Sequence, residues 1–184
     1  EFVLYGKGYI IDELCGKKFK ISSKSFYQIN PYQTEVLYNT TLVQAGLKKT
    51  DVILDAYSGV GTIGLIASSM VKKVLSVEIE KSATADAMFN AKINNIKNVS
   101  FFNDDASNFI VNLANRKEHM DAIIMDPPRS GSTPEFLNSA IKLRPKKLDD
   151  VIGQRHLIGK GKILTNLVKN KKLFSMILYG KPGI

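Results

Sequence analysis

The chain has no tryptophan, one cysteine and two histidines. A single thiol, Cys15, excludes a disulfide framework and a zinc cluster built on thiolates. No apolar run approaches the roughly 18 residues that a membrane-spanning helix needs. No charged-then-apolar leader opens the chain. We therefore expect a cytoplasmic protein without membrane contact. The apolar poverty of disordered chains is also missing: 44% of the 184 residues are hydrophobic and 23% are charged, enough for one globular core. The first residue is Glu1 rather than methionine, which reads as a piece of a longer protein.

Positive charge is not spread evenly. Residues 1–140 hold 15 Lys+Arg and 15 Asp+Glu, whereas residues 141–184 hold 11 Lys+Arg against Asp149 and Asp150. The whole formal charge of +9 thus sits in the last 44 residues. Such a tail either binds phosphate backbones or is a solvated surface. The step near residue 141 is a candidate boundary.

Short strands are expected at Val3–Tyr5, Tyr9–Ile11 and Phe19–Ile21, around Gly6 and Gly8. Asn30-Pro31 predicts a helix start, with Val36, Leu37, Thr40 and Val43 at helical spacing and Gly46 ending it. A strand–helix alternation follows. Strands are expected at 52–54, 74–77, 99–102 and 122–125. Helices are expected over 63–70, through Ala83, Ala87 and Ala91, and through Phe109, Ile110 and Leu113. Apolar strands alternating with amphipathic helices give an α/β fold with a parallel sheet covered on both faces.

In such sheets ligands bind beyond the carboxyl ends of the strands. Three features fall there. Asp55-Ala56-Tyr57-Ser58-Gly59-Val60-Gly61-Thr62 follows the first strand of the alternation, and Gly59 and Gly61 let backbone approach a ligand closely. Glu78 ends the next strand, where a carboxylate accepts the two hydroxyls of a ribose, each charged bond worth roughly 1.5–3 kcal/mol. Asp105 after the third strand suits either an adenine amino group or a helix cap. A dinucleotide-binding sheet shares this pattern, and Gly64 supplies its third glycine. The first turn alone therefore leaves NAD and S-adenosylmethionine open. The stiff loop Asp126-Pro127-Pro128-Arg129-Ser130-Gly131 decides between them.

Taken in order, Phe26-Tyr27-Gln28-Ile29-Asn30-Pro31, the Asp55–Gly64 turn and Asp126–Gly131 resemble the RNA uracil-C5 methyltransferase family over about residues 1–147. That family makes 5-methyluridine in ribosomal and transfer RNA with S-adenosylmethionine. Arginine after the prolines argues against amino-methylating enzymes, which carry an aromatic there. The resemblance implies a class I methyltransferase fold, Rossmann-like and truncated at its C-terminal side. It also implies an RNA substrate and S-adenosylmethionine as cofactor. By position, Gln28 and Asp126 match cofactor contacts, Tyr57 matches the aromatic beside the methionine part, Glu78 matches the ribose acid, and Gly59 and Gly61 form the turn. The same residues also read as a strand-end amide, a loop cap, a core tyrosine and a surface acid.

The family's chemistry needs a cysteine thiolate that attacks C6 of uracil and a glutamate base that removes the C5 proton. The family places the cysteine in a Ser-Cys-Asn-Pro segment after Pro-Lys-Lys. Here Pro145-Lys146-Lys147 runs into Leu148-Asp149-Asp150-Val151-Ile152-Gly153. No catalytic residue is expected in this chain, and Cys15 reads as a small residue beside a turn. Arg144–Gly159 and Ser175–Ile184 instead resemble the start of the replication-associated recombination ATPases of the AAA+ class. The P-loop breaks off at Ile184, before its Gly-Lys-Ser/Thr. We expect three regions: a strand-rich lead-in over 1–30, an incomplete cofactor-binding domain over 31–143, and an ATPase-like fragment over 144–184. A join of two truncated genes, by fusion or by assembly error, accounts for the broken motifs. The missing last strands expose a sheet edge, which the strand-like Phe174–Tyr179 is a candidate to cover. Two other readings stay open: a non-catalytic module that binds the cofactor or RNA, and the start of a DNA-repair ATPase. No metal is expected: His156 belongs to the ATPase-like motif and His119 stands alone on a polar stretch.

Overall fold

The apolar runs pair side by side. In the computed structural model, which describes residues 6–128, 131–143 and the backbone of 176–178, β1 (Tyr9–Leu14) and β2 (Lys17–Ser22) form an antiparallel hairpin. Strands β3 (Val52–Ala56), β4 (Lys73–Glu78), β5 (Val99–Asn103), β6 (Ala122–Met125) and β7 (Met176–Leu178) form a parallel sheet in the order β5-β4-β3-β6-β7. The helices are α1 (Pro31–Gln44), α2 (Thr62–Ala67, continued by a 3-10 turn over Ser68–Met70), α3 (Lys81–Ile93), α4 (Ala106–Asn115) and α5 (Pro134–Lys142).

Strands of this sheet are apolar on both faces because both are covered. Leu54, Leu75, Val77 and Ile123 pack on Ile110 and Leu113 of α4 and Phe136 of α5. On the other face Ile53, Val74 and Ile124 pack with Ile63 and Ile66 of α2, Ala91 of α3 and Tyr38 of α1. The chain steps outward from β3 through β4 to β5, then returns to β6 on the far side of β3. The direction of winding reverses between β3 and β6, so the crevice of an open sheet opens at their carboxyl ends.

The edge beyond β6 is paired. Met176–Leu178 runs parallel to Ile123–Met125, as expected of the strand-like segment 174–179. The rest of that segment, Val3–Tyr5 and the other residues of 144–184 lie outside the described residues, so the ATPase-like fragment is not further described.

Two elements differ from expectation. Asn30 caps α1, accepting from Gln33 N at 3.2 Å, with Pro31 in the first turn. The spacing of Val36 and Val43 predicts their burial, yet they are 61% and 73% exposed. The buried stripe is Thr34, Tyr38, Thr41 and Leu42. Tyr38 decides this: its ring joins the core while its hydroxyl meets Thr62 Oγ1 at 3.4 Å. Thr34 can go inward because its hydroxyl donates to Asn30 O at 2.7 Å. The sequence reading marks no element between Gly131 and residue 143, where α5 forms. Thr133 Oγ1 accepts from Phe136 N at 3.1 Å, Pro134 sits in the first turn, and Phe136, Leu137 and Ala140 face the sheet.

The hairpin closes through Cys15 and Gly16 at φ 49° and 69°, the two positive values of a tight two-residue turn. Its outer edge is held by a helix instead of a third strand. Lys18 N, Lys20 N and Ser22 N donate to Asn94 Oδ1, Asn90 Oδ1 and Asp86 Oδ2 at 3.0, 2.6 and 3.0 Å. Two strand residues rise about 6.7 Å and four helical residues about 6.0 Å, so every second amide meets every fourth side chain. Asn90, fully buried, also donates to Lys20 O and Val60 O, both at 3.1 Å, tying the hairpin to the glycine turn. Burial alone would raise the Asp86 carboxyl, but bonds from Lys20 and Ser22 hold it below the usual range. Replacing Asn90 by Ala strands three backbone groups. The expected loss is about 3 kcal/mol of stability, read as a lower urea midpoint at unchanged slope.

Candidate functional site

The site is assembled where β3, β4 and β6 end. Asp55, buried within β3, accepts from Gly64 N through Oδ2 at 2.9 Å. That bond pins the start of α2 under the strand. Tyr57, Gly59 and Gly61 then take φ values of 61°, 56° and 81°. The left-handed tyrosine is costly and persists only because its surroundings fix it. Its ring lies 5.6 Å from that of Phe136 on α5. A Cβ on Gly61 would lie 3.1 Å from Ala87 Cβ, and one on Gly64 2.6 Å from Asp55 Oδ2. Gly64→Ala must break the Asp55 bond or shift α2. We expect it to unfold the turn and lower the melting temperature by about 5 °C or more, measured by circular dichroism.

Glu78, the last residue of β4, reaches back to this turn. Its Oε2 accepts from Gly59 N and its Oε1 from Glu80 N, both at 2.8 Å. Each oxygen keeps a further lone pair for a ligand hydroxyl. Beyond β6, Asp126 N donates to Ala56 O at 3.4 Å, setting the proline loop beside the tyrosine turn. From the opposite side comes the segment after the hairpin. Gln28 is 7% exposed, and its amide hydrogen-bonds to none of the described residues. Gln28, Tyr57, Gly59 and Asp126 line one cavity together with Phe26 and Tyr38. Of the six expected residues, four thus share a wall. Glu78 adjoins it through Gly59, and Gly61 lies behind it as the cap of α2.

The cavity is acidic. No Lys, Arg or His among the described residues lines it; Arg129 and Ser130 lie outside them. Burial pushes the Asp55 carboxyl up to about 7, opposed by the bond from Gly64 and reinforced by the charges of Asp126 and Glu78. Burial likewise raises Asp126 to about 7. A ligand that suits this place brings hydroxyls for Glu78, a polar group for Gln28 and positive charge near Asp126.

Other candidates resolve differently. Asp105 caps α4, its Oδ1 accepting from Ser107 N and Asn108 N at 2.9 Å, so the cap reading holds. The Cys15 thiol sits in the hairpin turn, raised by burial. His119 meets Leu143 O at 3.1 Å. Among the described residues no group of His, Cys, Asp and Glu is placed to hold a metal, and no helix is long and apolar enough to cross a membrane. A wider groove between α3 and β5, lined by Met88, Ile96 and Phe101, contains no carboxylate and none of the motif residues. Asp55 itself is the functional residue that the motifs contain without marking. Its only signal in the sequence is Gly64, nine residues on, which must stay small to leave room for it.

The chain resembles known RNA methyltransferases over most of its length. The family model for tRNA (uracil-5-)-methyltransferase matches residues 6–144. An uncharacterized RNA methyltransferase of Lactobacillus johnsonii is 42% identical over 148 residues, covering 80% of this chain and 33% of that protein. One from Clostridium tetani is 43% identical over 146 residues, covering 79% and 32%. The chain therefore spans about a third of the length of the curated relatives it matches. Among solved structures, the Pyrococcus abyssi tRNA (uracil-54, C5)-methyltransferase in complex with S-adenosyl-L-homocysteine superposes with a TM-score of 0.62. It is 29% identical and covers 77% of this chain and 33% of that one. A Methanocaldococcus jannaschii tRNA m1G37 methyltransferase shares the fold at a TM-score of 0.60 and 15% identity, covering 78% and 42%.

Proposed function

The chain belongs to the tRNA (uracil-5-)-methyltransferase family, and we propose that it carries the S-adenosylmethionine-binding part of an enzyme that methylates C5 of uridine in RNA. The observation that carries this reading is the convergence of Gln28, Tyr57, Gly59 and Asp126 on one acidic cavity, with Glu78 bonded to the same turn. The residues fit the cofactor. Backbone without Cβ atoms forms the turn, Glu78 keeps acceptor capacity for ribose hydroxyls, and the buried Gln28 amide offers both a donor and an acceptor. Strand order gives the direction. Glu78 on β4 and Asp126 on β6 stand two strand spacings apart, about 10 Å, with β3 between them. Glu78 would hold the ribose and Asp126 would adjoin the methionine part, with Tyr57 between. Bound there, the cofactor supplies an electrophilic methyl group on a sulfonium sulfur.

What this chain's own residues do is bind and orient. The thiolate that activates uracil has no counterpart: Cys15 is the sole cysteine, and it closes the hairpin. The 184 residues alone are expected to bind S-adenosylmethionine and to transfer no methyl group. Incubation with unmodified ribosomal or transfer RNA and methyl-labelled cofactor tests this; label in RNA 5-methyluridine contradicts it. A non-catalytic module that binds cofactor and RNA is the second reading, favoured by the +9 charge concentrated in residues 141–184. Salt-dependent RNA binding lost with those residues distinguishes it.

A further inference from the structure

The cavity holds more negative charge than its hydrogen bonds require. Asp126 faces it from the end of β6, and Asp55 lies behind the same wall on β3. Glu78 closes the β4 side. The other titratable groups lining it are the phenols of Tyr27, Tyr38 and Tyr57, from the hairpin exit, α1 and the turn. None of these side chains is cationic at neutral pH. Glu78 is engaged by two backbone amides and Asp55 by one. Asp126, half-buried at the mouth of the loop, accepts no bond from a described residue. Gln28, 7% exposed and with no hydrogen bond to a described residue, lines the same wall with its polar side chain.

Among the described residues nothing on this wall offers these carboxylates a cation, whereas a ligand can bring one. Resting on the reading above, we propose that Asp126, backed by Asp55, reads the charge at the methyl-bearing end of the ligand: it selects the sulfonium-bearing cofactor over the neutral thioether left by methyl transfer, and so favours product exit. The balance of charge is simple. Transfer of the methyl group to carbon removes the positive charge from sulfur, while the carboxylates stay in place. The ammonium and carboxylate of the methionine part are common to both ligands and cancel in the comparison.

Protonation supplies a second signature. In the free protein Asp55 and Asp126 hold protons up to about pH 7. A sulfonium beside them favours their ionised forms. Its binding therefore releases protons and tightens as pH rises from 6 to 8, more than binding of the thioether does.

The test is calorimetric titration of the full chain at pH 6, 7 and 8, in two buffers of different ionisation enthalpy. The three probes are S-adenosylmethionine, S-adenosylhomocysteine and sinefungin, in which a carbon bearing an ammonium group replaces the methylsulfonium. At pH 8 the two charged ligands are expected to bind about tenfold more tightly than the thioether, with greater proton release. Asp126→Asn is expected to remove most of that preference, lowering the affinity of both charged ligands toward that of the thioether, whose own affinity falls less. Equal affinities and equal proton release for all three ligands overturn the proposal while leaving the cofactor reading intact. No binding of any ligand to the folded chain overturns both.

Discussion

Replacing Glu78 by Ala is expected to lower the affinity for S-adenosylmethionine by about a hundredfold or more, because two charge-assisted bonds to the ribose are lost at roughly 1.5–3 kcal/mol each. The effect combines two losses. Glu78 supplies the acceptor oxygens, and it holds Gly59 N and Glu80 N, which shape the turn and the start of α3. Without the carboxylate the turn loses its tie to β4, though Ser58 N still donates to Val77 O at 3.0 Å. The fold should therefore survive. Equilibrium dialysis with labelled cofactor measures the affinity, and far-ultraviolet circular dichroism verifies that the variant is folded. A folded variant with wild-type affinity would remove Glu78 from the site.

Asp126→Asn is expected to move stability and binding in opposite directions. The folded pKa of Asp126 is raised to about 7 by burial, against about 3.9 for an unperturbed aspartate. Between these values the folded protein holds the proton and the unfolded chain does not. Stability therefore falls as pH rises from about 4 to about 7, and stays low above that. Asparagine cannot ionise and escapes this loss. The variant should gain about 2 kcal/mol at pH 8, after allowance for partial exposure of the group, or about 5 °C in melting temperature. The gain should vanish as pH approaches 4. Asp55 shifts in the same direction, and part of its rise comes from the Asp126 charge, so the variant relieves Asp55 as well and the gain at pH 8 includes that relief. Thermal melts at pH 4.5, 6 and 8 read the trend. A variant less stable than wild type at pH 8 would contradict the buried, unpaired carboxyl described for this loop.

These two predictions turn on residues that differ in how openly the sequence shows them. Glu78 and Asp126 are legible because each follows an apolar strand directly, and a carboxylate there has no place in the core. The three inner strands are legible for a related reason: 53–56, 74–77 and 122–125 are mostly apolar and buried on both faces, as a doubly covered sheet requires. Tyr57 and Gly59 show themselves through the glycine turn, though not the left-handed backbone at the tyrosine.

The α1 face is illegible for a physical reason. Val36 and Val43 carry the hydropathy, but Tyr38 and two threonines carry the packing, and threonine can be buried once its hydroxyl bonds to its own helix. The clasp of Asp86, Asn90 and Asn94 is hidden too. Polar residues spaced by four read as a solvated helix face, and only the hairpin edge lying against them makes them structural. Asp55 is concealed by its neighbours: a carboxylate inside an apolar strand looks like the first letter of the turn motif. Its bond to Gly64 appears only when α2 folds back over β3.

We place the cofactor in the strand-end cavity and not in the wider α3–β5 groove. The most direct measurement is an amide-resolved NMR titration of the 15N-labelled chain with S-adenosylmethionine. The account predicts saturable shifts at Gly59, Gly61, the Asp126 amide and the side-chain amide of Gln28, with little change at Asn95 to Phe101. Shifts confined to the groove around Met88, Ile96 and Phe101, or none at all from a folded chain, would contradict it.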